Sequence, residues 1–200
     1  MSFFQPLILL LSMLSAFGIQ DKRLYTTKWV ITERSSLKVS GTTNVNKFGC
    51  EIATYSKSDT LVLYRDNDKA LVAMKGFLKL NVKDFDCNSA GMSAALRKTL
   101  KSKQYPHLVI TFLNLSRYPL LTDGEDAVNG NVMIELSGVS RHYNVTYSFI
   151  NTGNRTLTLT GKKKVYFSDF NITPPKKVGG IVKTKNALNI EFNLNAMVFN

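Results

Sequence analysis

The chain of 200 residues contains few side chains that bind metals and few that carry negative charge. Two Cys and two His exclude a zinc-finger array or a Cys-rich scaffold and leave little capacity for metal binding. Only 14 Asp and Glu oppose 26 Lys and Arg, which gives a net charge of +12. With 44% hydrophobic and 20% charged residues, the composition excludes intrinsic disorder and low-complexity architectures. The positive charge leaves acidic ligands, anionic membranes and nucleic acid open as partners.

Motifs of common hydrolases and redox enzymes are also missing. The sequence contains no HExxH, GxSxG or CxxC, and no Gly-rich loop that would cradle a phosphate. We interpret His107 and His142 as surface residues. Paired carboxylates lie without an evident acid or base partner at Asp66/Asp68, Asp84/Asp86 and Glu125/Asp126. We therefore predict a protein that is not an enzyme, with no catalytic residues and no metal site.

The N-terminus resembles a signal peptide. Residues 1–18 carry no charged side chain and include the apolar run Leu7–Leu14. That run is far shorter than the roughly 20 residues that cross a bilayer as a helix. Ala16 and Gly18 suit the small-residue positions of a signal-peptidase site, although the usual preceding Lys or Arg is absent. We predict a signal peptide over residues 1–18 and one soluble, periplasmic or secreted domain over 19–200; the alternative is a buried N-terminal helix.

Export changes how the two cysteines are interpreted. An oxidising compartment permits a disulfide between Cys50 and Cys87. The bond would close a loop of 37 residues and contribute roughly 2–4 kcal/mol by the chain-entropy argument. The alternative is two separate buried thiols.

Beyond residue 25, apolar and polar residues alternate as in half-buried antiparallel strands. The alternation is clearest at 78–82, 132–136, 143–149 and 188–194. Further strands are predicted near 29–32, 37–39, 51–55, 61–64, 108–113 and 156–160. So many strands must close into a barrel or stack as a sandwich. A barrel of about eight strands holds either a filled core or one small ligand, and the alternation alone does not decide between them.

One segment has a helical period instead. Met92, Leu96 and Leu100 recur at every fourth position, Asn88 or Ser89 can cap the start, and basic residues follow toward the end. The Tyr-Pro pair at 105–106 then ends the helix. These features predict one short helix over about 89–102.

Three stretches together resemble the YceI-like family of exported lipid-binding proteins. They are the helix, Tyr-Pro and strand at 92–112, the strand, Gly-Val-Ser turn and strand at 130–149, and Asp169–Ile172 with the last strand. Trp29 and residues 41–45 also fit, so the resemblance covers about 28–199. It implies an all-β, single-domain, lipocalin-like barrel whose tunnel takes a long polyisoprenoid chain, with the helix near one mouth. It supplies no catalytic residues, and the two Cys are not part of the family pattern.

The resemblance and the alternation together predict binding, transport or storage of a long isoprenoid or similar apolar lipid, without other cofactors. The residues expected to line the tunnel are the inward-facing ones, Leu78, Leu80, Ile110, Phe112, Val132, Ile134, Leu136, Tyr143, Val145, Tyr147, Phe149, Leu157, Leu159, Ile190 and Phe192. The alternatives are an exported stress-response or interaction module with a filled barrel, acting through its basic surface, and an enzyme of lipocalin-like fold.

Basic residues cluster near the C-terminus. Lys162–Lys164 precede Val165-Tyr166-Phe167, and four more lysines surround Gly179-Gly180. Basic and aromatic neighbours can bind single-stranded nucleic acid, but export argues against that partner. A solvated basic surface and attraction to anionic lipid headgroups both remain open. The second hypothesis predicts membrane association that weakens sharply with salt.

Overall fold

The computed structural model describes residues 24–66, 69–122 and 124–199, so the signal peptide predicted over 1–18 lies outside the described residues. The described chain is mostly β-strand, with one α-helix and three short 3-10 turns. The strands are β1 (Leu24–Ile31), β2 (Ser36–Thr43), β3 (Lys47–Ile52), β4 (Thr60–Asp66), β5 (Val72–Lys75), β6 (Phe77–Asn81), β7 (His107–Leu115), β8 (Glu125–Leu136), β9 (Val139–Gly153), β10 (Thr156–Tyr166), β11 (Lys176–Lys177) and β12 (Val182–Phe199). The helix is α1 (Ala90–Thr99).

Eight strands form a closed antiparallel barrel, in the order β1-β4-β5-β7-β8-β9-β10-β12. The pairing of β1 with the end of β12 completes the ring, with Lys28 opposite Phe199 and Ile31 opposite Ala196. In the described part of the chain, each of these eight strands pairs with a neighbour on both sides. The predicted all-β barrel with one short helix is confirmed.

Two strands of the ring change neighbours along their length. The last residues of β12 pair with β1, whereas residues 184–193 pair with β2. In the same way, the end of β7 pairs with β5 and its beginning with β6. The break between β5 and β6 is at Gly76, whose φ of 144° suits glycine and whose Cβ, if present, would lie 2.5 Å from the Thr60 carbonyl oxygen. We call the half of the barrel with β1, β4 and β5 the closed end, and the half with β2, β3, β6 and α1 the mouth end.

The mouth end contains a seam between β3 and β6. Within the described residues no strand ladder joins these two strands. Glu51 and Asp86 instead form one isolated bridge through two backbone hydrogen bonds of 2.8 and 2.9 Å. The adjacent Cys50 and Cys87 are joined by a disulfide. Covalent and local contacts therefore replace strand pairing at this position.

The interior is filled by the inward face of the strands. Of the residues predicted to line a tunnel, all are buried except Leu136 and Tyr143, which are half-buried. Aromatic rings occupy the centre, where Phe112, Tyr147 and Phe192 lie within 6.3 Å of one another by ring centroids. Inward orientation thus follows the predicted alternation, while the part these side chains play in ligand binding stays a prediction.

Helix α1 ends three residues earlier than the sequence predicts. Lys101 adopts a left-handed backbone with φ of 53°, and the N–H groups of Lys101 and Ser102 bond back to Lys98 and Arg97. This is a Schellman-type end with a non-glycine residue. The Ser137 hydroxyl also donates to the Leu100 carbonyl at 2.9 Å, which satisfies another free acceptor. No helix in the described ranges is long and apolar enough to span a bilayer.

Candidate ligand-binding site

A cavity of about 140 Å³ lies at the mouth end, between α1 and the strands below it. Its walls come from the β2–β3 hairpin, from α1, from the turn after β10 and from the chain that enters β12. The lining side chains are mainly apolar: Thr43, Asn46, Phe48, Cys50, Met92, Ala95, Leu96, Thr99, Phe167, Pro175, Val182 and Thr184. Apolar pockets with few polar groups are typical of small-molecule sites.

The helix contributes one face to the cavity. Met92, Ala95, Leu96 and Thr99 lie three or four positions apart, so they share a face of α1. Met92 and Leu96 are only half-buried because the cavity lies beneath them. The sequence identified Met92 and Leu96 as the apolar face of a helix, and the structure shows that this face covers the cavity.

Polar contacts on its other sides hold α1 over the cavity. The buried Ser93 hydroxyl accepts the Cys87 N–H at 3.0 Å. The Arg97 guanidinium donates to the Lys83 carbonyl at 2.8 Å. The disulfide at Cys87 connects the segment that precedes α1 to Cys50 of β3, which itself lines the cavity. The cover of the cavity is therefore fixed to both sides of the seam.

Phe48 also lines the cavity. Its ring lies against the buried Gly41 on β2, where a Cβ would approach the ring to 2.5 Å. Any side chain larger than glycine at position 41 would therefore displace this ring. The sequence analysis did not identify Phe48. The available signal was a Gly that lies opposite a Phe across a predicted hairpin.

Deeper in the barrel the free volume nearly vanishes. A gap of about 10 Å³ remains beside Leu78, Leu80 and Phe192. Other rings lie on inward glycines in the same way as Phe48, with Phe192 against Gly161 and Tyr147 against Gly130. The predicted lining residues are thus brought together around the barrel axis, and a different set surrounds the existing cavity.

The deep interior contains few polar groups. Burial raises the pKa of the Tyr147 phenol. Among the residues that the structure describes, its hydroxyl and the Trp29 Nε1 are buried without a hydrogen-bond partner. A buried donor left unpaired costs about 1–3 kcal/mol. No group of three His, Cys, Asp or Glu that could hold a metal occurs in the described ranges.

The elements around the cavity are strongly basic. Exposed lysines lie on the β2–β3 hairpin, on the β11–β12 hairpin and on α1, and Asp169, in the turn after β10, is already occupied by hydrogen bonds. It accepts hydrogen bonds from the Tyr143 hydroxyl at 2.8 Å and from the Tyr166 N–H at 2.9 Å. Burial, together with Asp169, raises the pKa of Tyr143. The cavity therefore opens among positive charges that few acids offset.

Polar groups also line the outer side of the seam. The Tyr55 hydroxyl donates to the Asp59 carboxylate and accepts the Lys79 N–H at 3.3 Å. Desolvation, with Lys79 and Lys57 nearby, lowers the pKa of His107. Tyr55, Lys57, Lys79 and His107 border a small depression of about 130 Å³, separate from the apolar cavity.

Comparison with solved structures places the chain among proteins of the same barrel fold. BcnA of Burkholderia cenocepacia is similar with a TM-score of 0.58 and 18% identity, over 82% of this chain and 97% of that chain. A polyisoprenoid binding domain from Saccharophagus degradans, implicated in plant cell wall breakdown, is similar with a TM-score of 0.60 and 9% identity, over 85% and 97%. A Campylobacter jejuni YCEI protein gives a TM-score of 0.46 at 18% identity, over 70% and 81%.

The comparisons by sequence, in contrast, found no match. No family model matches the chain, and no curated protein matches it. Identities of 9–18% show a shared fold alone. At that level the resemblance to YceI-like proteins is confirmed.

Proposed function

We propose that the protein binds a long apolar ligand of the isoprenoid type and carries or stores it without chemical conversion. The observation that carries this proposal is the apolar cavity at the mouth of a closed barrel. The shared fold with a solved polyisoprenoid binding domain supports it. Binding would come from burial, since each methylene removed from water contributes about 0.8 kcal/mol.

The size of the cavity indicates where such a chain would enter. A cavity of about 150 Å³ accepts one benzene molecule, so 140 Å³ matches about one isoprene unit. A longer chain must extend from the cavity into the barrel and displace the rings above Gly161 and Gly130. The Tyr147 hydroxyl and Trp29 Nε1 would then donate to any oxygen of the ligand that reaches the centre.

The site of action is proposed to be outside the cytosol. The disulfide between Cys50 and Cys87 suits an oxidising compartment, in agreement with the signal peptide expected at 1–18. Nucleic acid is not the proposed partner, because Val165 and Phe167 are buried and of this segment only Tyr166 is exposed for stacking. Stacking platforms need several exposed rings.

Two neighbouring residues of α1 give a matched test. Ala95 lines the cavity, whereas Ala94 is exposed on the outer side of the helix. Ala95→Trp places an indole in the cavity and should weaken binding of geranylgeraniol at least tenfold. Ala94→Trp should leave binding at the wild-type level. Circular dichroism and thermal unfolding check that both variants fold.

Extraction of freshly purified protein, followed by mass spectrometry, identifies the natural ligand. One isoprenoid species near one per chain supports the proposal. An empty extract from protein that also takes up no added geranylgeraniol contradicts it. That result would favour the alternative, an interaction module with a permanently filled barrel. The nearly void-free interior and the basic surface support this alternative.

A further inference from the structure

Two turns meet at the rim of the cavity and form one rigid edge. Asn44, in the β2–β3 turn, donates its N–H to the Lys183 carbonyl and its side-chain Nδ2 to the Ile181 carbonyl, both at 3.0 Å. Its side-chain oxygen accepts the Lys183 N–H at 2.8 Å. We call this edge, residues 43–47 with 181–185, the lip. Thr43, Asn46, Val182 and Thr184 of the lip also line the cavity.

The lip presents two apolar side chains to solvent. Val45 is 64% exposed and Ile181 is 69% exposed, each at the tip of its turn. Exposed apolar residues are common one by one, and the closed end has some as well, including Leu71 and Leu120. Exposure alone therefore does not distinguish the lip from the closed end.

The charged residues distinguish the lip from the closed end. Lys47, Lys183 and Lys185 are exposed on the lip, and Lys176 is exposed on the strand that pairs with Lys183. The sequence has no Asp or Glu from 170 to 190, nor from 40 to 50. Near Leu71 and Leu120 of the closed end, by contrast, Asp66, Glu125 and Asp126 accompany the basic residues. The two apolar tips of the lip thus lie in segments whose charged side chains are all lysines.

We propose that the lip docks the protein onto an anionic lipid bilayer, with Val45 and Ile181 inserted among the headgroups. Lysines near an anionic membrane attract its surface, and apolar side chains at the boundary add binding by burial. Docking in this orientation puts the opening of the cavity directly against the bilayer, where an apolar ligand can pass without crossing water. The transfer of ligand rests on the proposed function, whereas docking itself does not.

Co-sedimentation with vesicles tests the docking. Wild-type protein should pellet with vesicles of phosphatidylcholine and phosphatidylglycerol at low salt, and binding to vesicles of phosphatidylcholine alone should be at least tenfold weaker. High salt should release most of the bound protein, since the attraction between exposed charges is screened. Equal binding to both vesicles, or binding that salt does not affect, would overturn the proposal.

Paired variants locate the contact on the molecule. Val45→Asp with Ile181→Asp, and separately Lys183→Glu with Lys185→Glu, should each lower vesicle binding about tenfold or more. The matched controls at the closed end, Leu71→Asp with Leu120→Asp and Lys69→Glu with Lys75→Glu, should keep the wild-type level. Loss of binding in the closed-end variants instead would assign the contact to the other end of the barrel.

A titration with geranylgeraniol in the absence of vesicles separates the two proposals. The lip variants should bind it like the wild type, because none of the substituted side chains lines the cavity. If the wild-type protein binds geranylgeraniol but no vesicles, the docking proposal is refuted and the proposed function stands. Protein that binds anionic vesicles and no geranylgeraniol refutes the proposed function and keeps the lip as a membrane contact.

Discussion

At the closed end of the barrel, β1, β4 and β5 complete an unbroken hydrogen-bonded ring, whereas the ring at the mouth end is interrupted between β3 and β6. Trp29, Leu61 and Leu63 at the closed end have no exposed surface. Met92 and Leu96 at the mouth end are half-buried around a cavity. The interior is thus packed where strands pair on both sides, and a cavity remains where the helix covers the mouth end.

The segments that cover the two ends also differ in how firmly they are attached to the barrel. Over the closed end, Arg117 makes a two-pronged ion pair with Asp126 at 2.6 and 2.8 Å, and Asp126 also accepts the Leu120 N–H at 2.7 Å. Tyr118 of this loop packs on Trp29. Over the mouth, α1 packs on the barrel through the half-buried Met92 and Leu96 and is held by the hydrogen bonds of Ser93 and Arg97. We infer that the closed end supplies stability and that the mouth end is where the molecule can open.

The largest expected effect comes from the closed end. Trp29→Ala removes a fully buried indole that contacts Phe149 and Tyr118, so the free energy of unfolding should fall by about 3–5 kcal/mol. Met92→Ala at the mouth should cost less than half as much, because that side chain is only partly buried. Urea unfolding followed by circular dichroism measures both. If Trp29→Ala does not fold, Trp29→Phe replaces it in the comparison. Equal losses of unfolding free energy at the two ends would contradict the inference that the closed end supplies the stability.

The disulfide gives the next effect. Replacing Cys50 and Cys87 by Ser should lower the free energy of unfolding by roughly 2–4 kcal/mol. Since the bond spans the seam, amide hydrogen exchange should accelerate in β3 and residues 82–88 and stay slow in β1, β4 and β5. Uniform acceleration throughout the barrel would show that the seam is no weaker than the rest.

The smallest effect concerns pH and the cover of the closed end. The hydrogen bond from Arg117 lowers the pKa of Asp126 from its ordinary 3.8 to about 2. A lowered pKa means that the ion pair stabilises the fold above pH of about 4 and that this contribution disappears as pH falls toward 2. Thermal unfolding of Asp126→Asn should therefore show a shallower loss of stability than the wild type between these limits.

A second carboxylate serves as the control for that experiment. Glu191 makes one contact of 3.4 Å with Lys162, and both side chains are largely exposed. Exposed pairs of this kind contribute little, so Glu191→Gln should follow the wild-type curve. An Asp126→Asn curve that also coincides with the wild type would show that the loop does not depend on its ion pair.

Much of the fold was accessible from the sequence because strand alternation is a local property. Residues 132–136 and 143–149 were predicted as strands with their inward faces, and the structure places them in β8 and β9. The short β5 and β11 were missed, since two to four residues cannot display a period. The strand predicted at 51–55 begins earlier, at Lys47, and ends at Ile52, because the chain turns there toward the seam.

The candidate site was less accessible because its walls are distant in sequence. The cavity forms only after β3, α1, the turn after β10 and the start of β12 have packed together, which brings together Phe48, Met92, Phe167 and Val182. The sequence presented the lysines near Gly179 as a charged segment and gave no sign that Asn44 would bond to Lys183. Contacts across more than a hundred residues follow from barrel closure, which no local pattern encodes.

The sequence by itself determined the all-β class, the inward face of each long strand, the position of the helix and the basic character of the C-terminal segment. Each of these depends on neighbours within a few residues, through side-chain periodicity and composition. The tertiary structure alone decided that the ring closes through β1 and β12, that the seam lies beside the disulfide, and that an apolar cavity forms under α1. Those features depend on how whole strands pair and on which spaces their side chains leave unfilled.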